Sequence, residues 1–511
     1  MKWICALCVV LTGAVYAEDS RPERMASEEL VLDDESSEHA FRVRWRLRGW
    51  SDFQVYQRAE WQRDAQRVFI LHERDAGERW TDYFISHYVR QTRWGEVAAG
   101  DLQPKWAGGL VWGRGRHTDP TARWSLRDSR DLGYRSATEN GSVRGVAWRT
   151  SVGRWRGFAL VGRSTLDARR SDAGPITSLP NSGLHVTATE LLGRDALRAD
   201  VGGGGLARTW DHARVGFALQ YVHFHIPLDL RRRGRTPWDF VGQRQLLTAV
   251  HALWRTRWGE WAAEIGGDAQ GRWAGIAQWH MRRGDRFVRW QLRQFIPGFH
   301  AFFSAVPSGA GGLNERGVAL VVGGREWEAY VDRARRPERS YYVPRASTYT
   351  GWGGKVAWSV GASTMRLFAS GRRRPYARDE QIVSERRDRL RLEWRRSDWM
   401  GQGQFVRWTR RGDRAEWGRL FGVRWQRLRN LSRQVVQLSV FHTGSYRSRL
   451  YEYEYDLPGA VSIRALYGRG ARLMVLGHGR CKQLNVAVRY RLQRDVRWHH
   501  FAGCSLEWQS N

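Results

Sequence analysis

His223 and His225 stand two residues apart, a spacing that puts both side chains on one face of a β-strand. Imidazoles ligate metals, but a site needs at least a third group, and the sequence shows none beside them. The pair therefore reads as solvated histidines facing a lumen. No Gly-x-Ser-x-Gly elbow, phosphate loop or His-Glu-x-x-His stands anywhere in the chain. The sequence assigns no catalytic, cofactor-binding or metal-binding residue, and an enzyme is not expected.

Arginine is the residue type with the most chemical capacity here. Lys plus Arg number 84 against 52 Asp plus Glu, a formal net charge of +32. Only Lys2, Lys105, Lys355 and Lys482 are lysines, so 84 − 4 = 80 are arginines. A guanidinium binds carboxylate or phosphate with two parallel bonds and stacks on aromatic rings, and Trp numbers 29. Such a chain first suggests a nucleic-acid or anionic-surface partner. Where the arginines point decides between them.

The elements that carry them are read from periodicity. In Phe41-Arg42-Val43-Arg44-Trp45-Arg46-Leu47-Arg48 every odd residue is apolar and every even one is Arg. As a helix this scatters arginine around the circumference. As a strand it gives one apolar face and one cationic face. Leu390 to Arg395 and Val436 to Val440 repeat the pattern, as does Leu484 to Leu492. Asp75-Ala76-Gly77, Arg283-Gly284-Asp285, Arg411-Gly412-Asp413 and Gln493-Arg494-Asp495 are turn signals between such runs. Trp and Tyr lie near many expected strand ends, where amphipathic rings suit a membrane interface.

The N-terminus looks like a secretory signal. Lys2 is the positive region, Trp3 to Val15 the apolar region, and Val15-Tyr16-Ala17 the cleavage site. Beyond it no run of 18 apolar residues occurs, so helical membrane spans are not expected. A barrel strand needs only alternate residues to be apolar. The expected fold is thus all-β, a large antiparallel transmembrane β-barrel from residue 40 to 511. It follows a signal peptide over 1–17 and an acidic periplasmic leader over 18–39. At roughly 22–25 residues per strand and turn, that length gives roughly 18–22 strands. The lumen of such a barrel is too wide for its lining side chains alone to fill. Thr187 to Ala196 has helical composition and reads as a loop helix that folds over or into the lumen, or as a plain surface helix. Cys481 and Cys504 are expected near the ends of neighbouring strands, where a disulfide and two separate thiols are both open.

A set of short stretches resembles the barrel region of helix-hairpin-helix domain-containing outer-membrane proteins of Bacteroidetes-type and related bacteria. They are Gly100-Asp101-Leu102 with Gly108 to Trp112, Tyr134 to Asn140 with Arg144 to Ala147, and Ser182 to His185 with Glu190-Leu191. The run Gly202 to Gly205, Phe299-His300, Asn314 to Gly317, Tyr451 to Gly459 and Tyr467 to Gly470 continue it in order. The resemblance implies a barrel and no established activity. Members often carry helix-hairpin-helix motifs before the barrel. Here the leader is too short for a paired motif, so a nucleic-acid role is not carried over.

The expected role is an outer-membrane barrel of the cell envelope: an Arg-lined pore or transporter favouring anionic solutes, or an anchor for an envelope complex. Its arginine excess has two destinations, a positive lumen or pairing with the acidic residues and lipopolysaccharide phosphates. The expected partners are outer-membrane lipid, lipopolysaccharide and the barrel assembly machinery. Two other classes stand beside this reading, a basic β-rich nucleic-acid binder and an outer-membrane enzyme.

Overall fold

The computed structural model describes residues 39–510 except 50–52, 114–118, 129–130, 173, 232–235, 310–311, 379–380, 430, 461 and 496. The expected signal, 1–17, and the expected leader up to residue 38 lie outside the described residues, while His39 already belongs to the first strand. The alternating runs all form strands. The first, His39–Gly49, pairs antiparallel with the last, Trp498–Gln509, with Trp45 opposite Leu506. The main sheet holds 26 strands. Two of them, Arg169–Arg170 and Ile176–Ser178, are short loop strands. The fold is a closed 24-strand antiparallel β-barrel.

The strand number exceeds the expected range because one set of connections is shorter than the spacing assumed. Asp64-Ala65, Gly153-Arg154, Gly284-Asp285, Gly361-Ala362 and Lys482-Gln483 are each complete two-residue turns. Their first residues have φ between 49° and 57°, as in mirror-image turns that match strand twist. Antiparallel strands alternate direction, so these turns share one end of the sheet. The connections at the other end include long ones, residues 103–142, 167–196, 296–314 and 444–449 leading into a hairpin. Short turns at one end and long loops at the other is the membrane-barrel pattern.

Burial is inverted relative to a water-soluble protein. Along Leu390 to Trp394 the exposed residues are Leu390, Leu392 and Trp394, while Arg391 and Glu393 are buried. Along Val436 to Val440 the valines and Leu438 are exposed, while Gln437 and Ser439 are buried. Val161 is 67% exposed and Trp254 63%. Near the two-residue turns, Trp254, Trp261, Trp279 and Trp290 face one another across four adjacent strands, with centroids of Trp261 and Trp279 5.8 Å apart. The guanidiniums of Arg93 and Arg257 lie 4.7 Å from the ring centroids of Trp94 and Trp258. This is an aromatic girdle at an interface. No described helix is long and apolar enough to cross a membrane.

The chain divides into two compact units. One contains the described residues up to Phe84, Gly353–Arg372 and the chain from Glu385 on; the other contains Ile85–Trp352 and Arg373–Ser384. In the second unit the inward face is covered by folded-in connections. Trp106, Leu110, Val111, Trp112, Trp124 and Leu132 of one connection are buried against Phe158, Leu160, Val201, Leu247 and Ile276 of the strands. The inward positions are kept small where these rings dock. At Gly205 an added Cβ would lie 2.5 Å from Trp106 Nε1. Trp106 and Trp112 donate to the backbone carbonyls of Phe217 and Leu219, at 3.0 and 2.9 Å.

Gly205→Val is expected to unseat Trp106 and lower stability by about 1–3 kcal/mol. Gly477→Ala, in open space, is expected to change it by less than about 0.5 kcal/mol. The midpoint of heat conversion between the compact and extended bands on a detergent gel checks both. Equal midpoints for the two variants would show that the indole does not need the space.

Candidate functional site

Polar side chains on the inward face have a physical task before any functional one. A segment folded into the barrel brings backbone N–H and C=O groups that need partners. Inward side chains of the second unit supply them. Gln220 Nε2 donates to Val111 O at 2.8 Å, and Gln245 Nε2 to His300 O at 2.7 Å. Gln278 both donates to Trp124 O and accepts from Trp124 N. Glu264 accepts from Leu110 N, and Arg214 Nη2 donates to both carboxylate oxygens of Asp128. Arg293 is fully buried between Glu315 and Asp332, and Gly317 leaves the space it occupies. Glu315 in turn accepts from Ser308 Oγ at 2.9 Å. That bond holds the connection 296–314 to its strand.

The strongest concentration of charge lies in the first unit. Leu450–Glu454 and Ser462–Leu466 form a two-stranded hairpin outside the main sheet. Its sequence Tyr451-Glu452-Tyr453-Glu454-Tyr455-Asp456 alternates rings and carboxylates. Glu452, Glu454 and Asp456 meet a wall of arginines on the inward face. Glu454 is paired with Arg472 and Arg489, and its Oε2 lies 3.5 Å from Arg491. Asp456 is 2.9 Å from Arg489 Nη1 and 3.3 Å from Arg48 Nη2. Glu452 takes a bond from Gln402 at 2.7 Å and one from Ser439, with Arg472 at 3.7 Å. The Tyr455 ring meets two further cations. Arg424 lies 4.9 Å and Arg433 5.3 Å from the Tyr455 ring centroid.

Glu454 is 0% and Arg491 1% exposed. Charges so far from water are tolerated only when paired, and removing one partner leaves the other stranded. Burial pushes the Glu452 carboxyl up, against the pull of Arg472. Burial also acts on Asp456, but Arg489 and Arg48 outweigh it and hold this carboxyl below the usual range. The apolar base of the hairpin, Leu450 and Leu466, packs on Val406, Leu420 and Phe441. Leu457, at its tip, packs on Val435, Met474 and Leu476.

The arginine ladders read from sequence do line the inward face, at Arg46, Arg391, Arg424, Arg472, Arg489 and Arg491. Many are paired with carboxylates of this same chain. Sequence periodicity placed the wall but gave no sign that Tyr451 to Asp456 would seat on it, since alternation there reads as one more barrel strand.

Three further expectations are corrected or settled. His223 and His225 do not face the lumen. They share the outward face with Val215, Phe217, Leu219 and Tyr221, because residue parity along Ala213–Asp229 is fixed by the lipid-facing set. Asp200 on the neighbouring strand lies directly opposite His223, and its Oδ2 is 2.8 Å from His225 Nε2. The loop helix forms over Ala188–Gly193, with Thr187 and Glu190 making a capping box, and Leu192 is exposed on the surface. Cys481 is a free, exposed thiol at the end of Arg469–Cys481, one strand removed from Cys504, so these two are not bridged.

Glu139, Asp167 and His185 form a second polar cluster, among the loops of the second unit. Asn140 donates to Asp167 at 2.9 Å and His185 Nε2 lies 3.2 Å from it. Burial raises the Asp167 carboxyl, but these bonds outweigh it and leave it below its usual value. The group ties the connection 103–142 to 167–196.

No family model matches the sequence, and no curated protein matches it. Among solved structures, the P pilus usher PapC translocation pore aligns over 93% of this chain and 99% of its own, at 10% identity and a TM-score of 0.41. The FrpB iron transporter from Neisseria meningitidis aligns over 94% of this chain and 82% of its own, at 7% identity and a TM-score of 0.41. OccK5 of Pseudomonas aeruginosa aligns over 92% and 96%, at 8% identity and a TM-score of 0.26. The chain is an outer-membrane-type β-barrel, shown by its own strand pairing and its lipid-facing surface.

Proposed function

We propose that this protein is an outer-membrane pore whose arginine wall takes anionic solutes when the hairpin Leu450–Leu466 leaves its seat. One observation carries the reading: three carboxylates of a separate two-stranded hairpin are ion-paired with guanidiniums of the barrel wall. A guanidinium cluster that accepts protein carboxylates in a desolvated site can accept those of a solute, or its phosphates, by the same kind of charge-assisted bonds. The hairpin thus acts as an internal stand-in for an anion. It is joined to the main sheet only through connections at the long-loop end, which faces outward in outer-membrane barrels. A positive wall exposed by its departure favours anions over cations.

The pairs also set how firmly the hairpin sits. Glu454→Gln removes the charge shared by Arg472, Arg489 and Arg491. It is expected to weaken docking by about 3 kcal/mol or more, because guanidiniums remain buried without their partner. Limited proteolysis of the folded protein reads this as faster cleavage between residues 444 and 468. Unchanged cleavage would show that the apolar contacts alone hold the hairpin.

Planar-bilayer recording tests the pore itself. Wild type is expected to show low conductance. The triple variant Glu452→Gln, Glu454→Gln, Asp456→Asn is expected to show larger conductance, with a reversal potential in a salt gradient of the sign for anion preference. Cation preference in that variant, or conductance no larger than wild type, would overturn the reading.

A further inference from the structure

The register of the strands in the second unit sets a sharp boundary on the lipid-facing surface. Val146, Val161, Gly202, Tyr221 and Leu246 are cross-strand partners in one row over five adjacent strands. The apolar members of that row are all exposed. Two residues further toward the long-loop end, the row becomes Arg144, Arg163, Asp200, His223 and Arg244. The apolar band therefore ends between these rows, and the second stands at the polar edge of the bilayer. Charged and imidazole groups face outward there.

Within that row three groups converge. Asp200 and His223 are direct partners on adjacent strands, and His225, two residues on, shares their face. One ligand atom of each lies within 4.8 Å of the other two. The two imidazole centroids are 5.7 Å apart. Asp200 uses one oxygen for His225 Nε2 and the other, Oδ1, for Arg163 Nε at 2.8 Å. Below them on the same face, Gly202 and Gly204 present no side chain, so nothing on that strand crowds the group. A tertiary ion pair alone would need one imidazole; the second nitrogen donor set beside it is unexplained by that pairing.

We propose that Asp200, His223 and His225 form a surface site for a late first-row divalent cation such as Zn²⁺. Two neutral imidazoles and one carboxylate, with ligand bonds of about 2.0–2.2 Å, give a tetrahedral set with its fourth position open to water. Strand register fixes the backbones of Asp200 and His223, and His225 follows two residues on in the same strand. The ion takes the place of the hydrogen between His225 Nε2 and Asp200 Oδ2, and the ring ligates as the neutral tautomer with its proton on Nδ1. Arg163 stays on Oδ1 and orients the carboxylate as an outer partner. Nitrogen donors select zinc, copper or nickel over calcium or magnesium, which prefer all-oxygen sites. The site belongs to the second unit, and it does not depend on a pore.

The test uses the full-length, untagged protein in detergent micelles, stripped with chelator and titrated with Co²⁺ and then Zn²⁺. Wild type is expected to take up one Co²⁺ with the intense visible absorption of tetrahedral coordination, and to lose that band to Zn²⁺. Asp200→Ala and His223→Ala are each expected to weaken Zn²⁺ binding roughly tenfold or more while keeping the heat-modifiable band. His185→Ala, in the loop cluster, is expected to bind as wild type does. Binding unchanged in both Asp200→Ala and His223→Ala, or lost only in His185→Ala, would overturn the proposal.

Discussion

Everything in this molecule follows from the requirement that backbone hydrogen bonds be complete where no water is present. In hydrocarbon an unpaired N–H or C=O costs several kcal/mol, so a sheet must return to its first strand. Trp498–Gln509 does so by pairing with His39–Gly49 over eight consecutive residues, Arg42 to Gly49. Once the sheet is closed, period-2 alternation gives one face to lipid and the other to the interior. The inverted burial of Leu392 against Arg391, or Leu438 against Gln437, is the direct consequence.

That inversion creates a second demand. A polar interior of this width is not filled by strand side chains, and connections fold in to occupy it. Each brings its own backbone polar groups, and the inward Gln, Glu and Arg side chains meet them. Gln278 on Trp124 and Gln220 on Val111 are examples. Small inward residues answer the opposite need, space, as Gly205 does for Trp106 and Gly317 for Arg293.

The arginine excess also acquires a local meaning. An arginine ladder facing a lumen needs counter-charge, and in the first unit this comes from Glu452, Glu454 and Asp456. These carboxylates stand on a hairpin outside the main sheet. The same sheet, on its lipid side, gathers Asp200 with His223 and His225 at the edge of the apolar band. Interior and exterior polar groups thus arise from the same register.

Period-2 alternation was enough to place strands at Phe41 to Arg48, Leu390 to Arg395, Val436 to Val440 and Leu484 to Leu492, with their apolar and polar faces, and to give the barrel class, because lipid on one side and water on the other impose that period; it did not give the strand number. The tight turns at Gly284-Asp285 and Arg411-Gly412-Asp413 were legible for the same local reason: few residues adopt their backbone angles. Tertiary structure alone decided what met across the sheet. His223 and His225 belong to the lipid-facing parity, which depends on the whole strand and not on the pair. Asp200 reaches them only through register, a relation between residues more than twenty apart in sequence. Tyr451 to Asp456 alternates like a wall strand yet folds inward, because buried guanidiniums gain more from its carboxylates than lipid does from its rings.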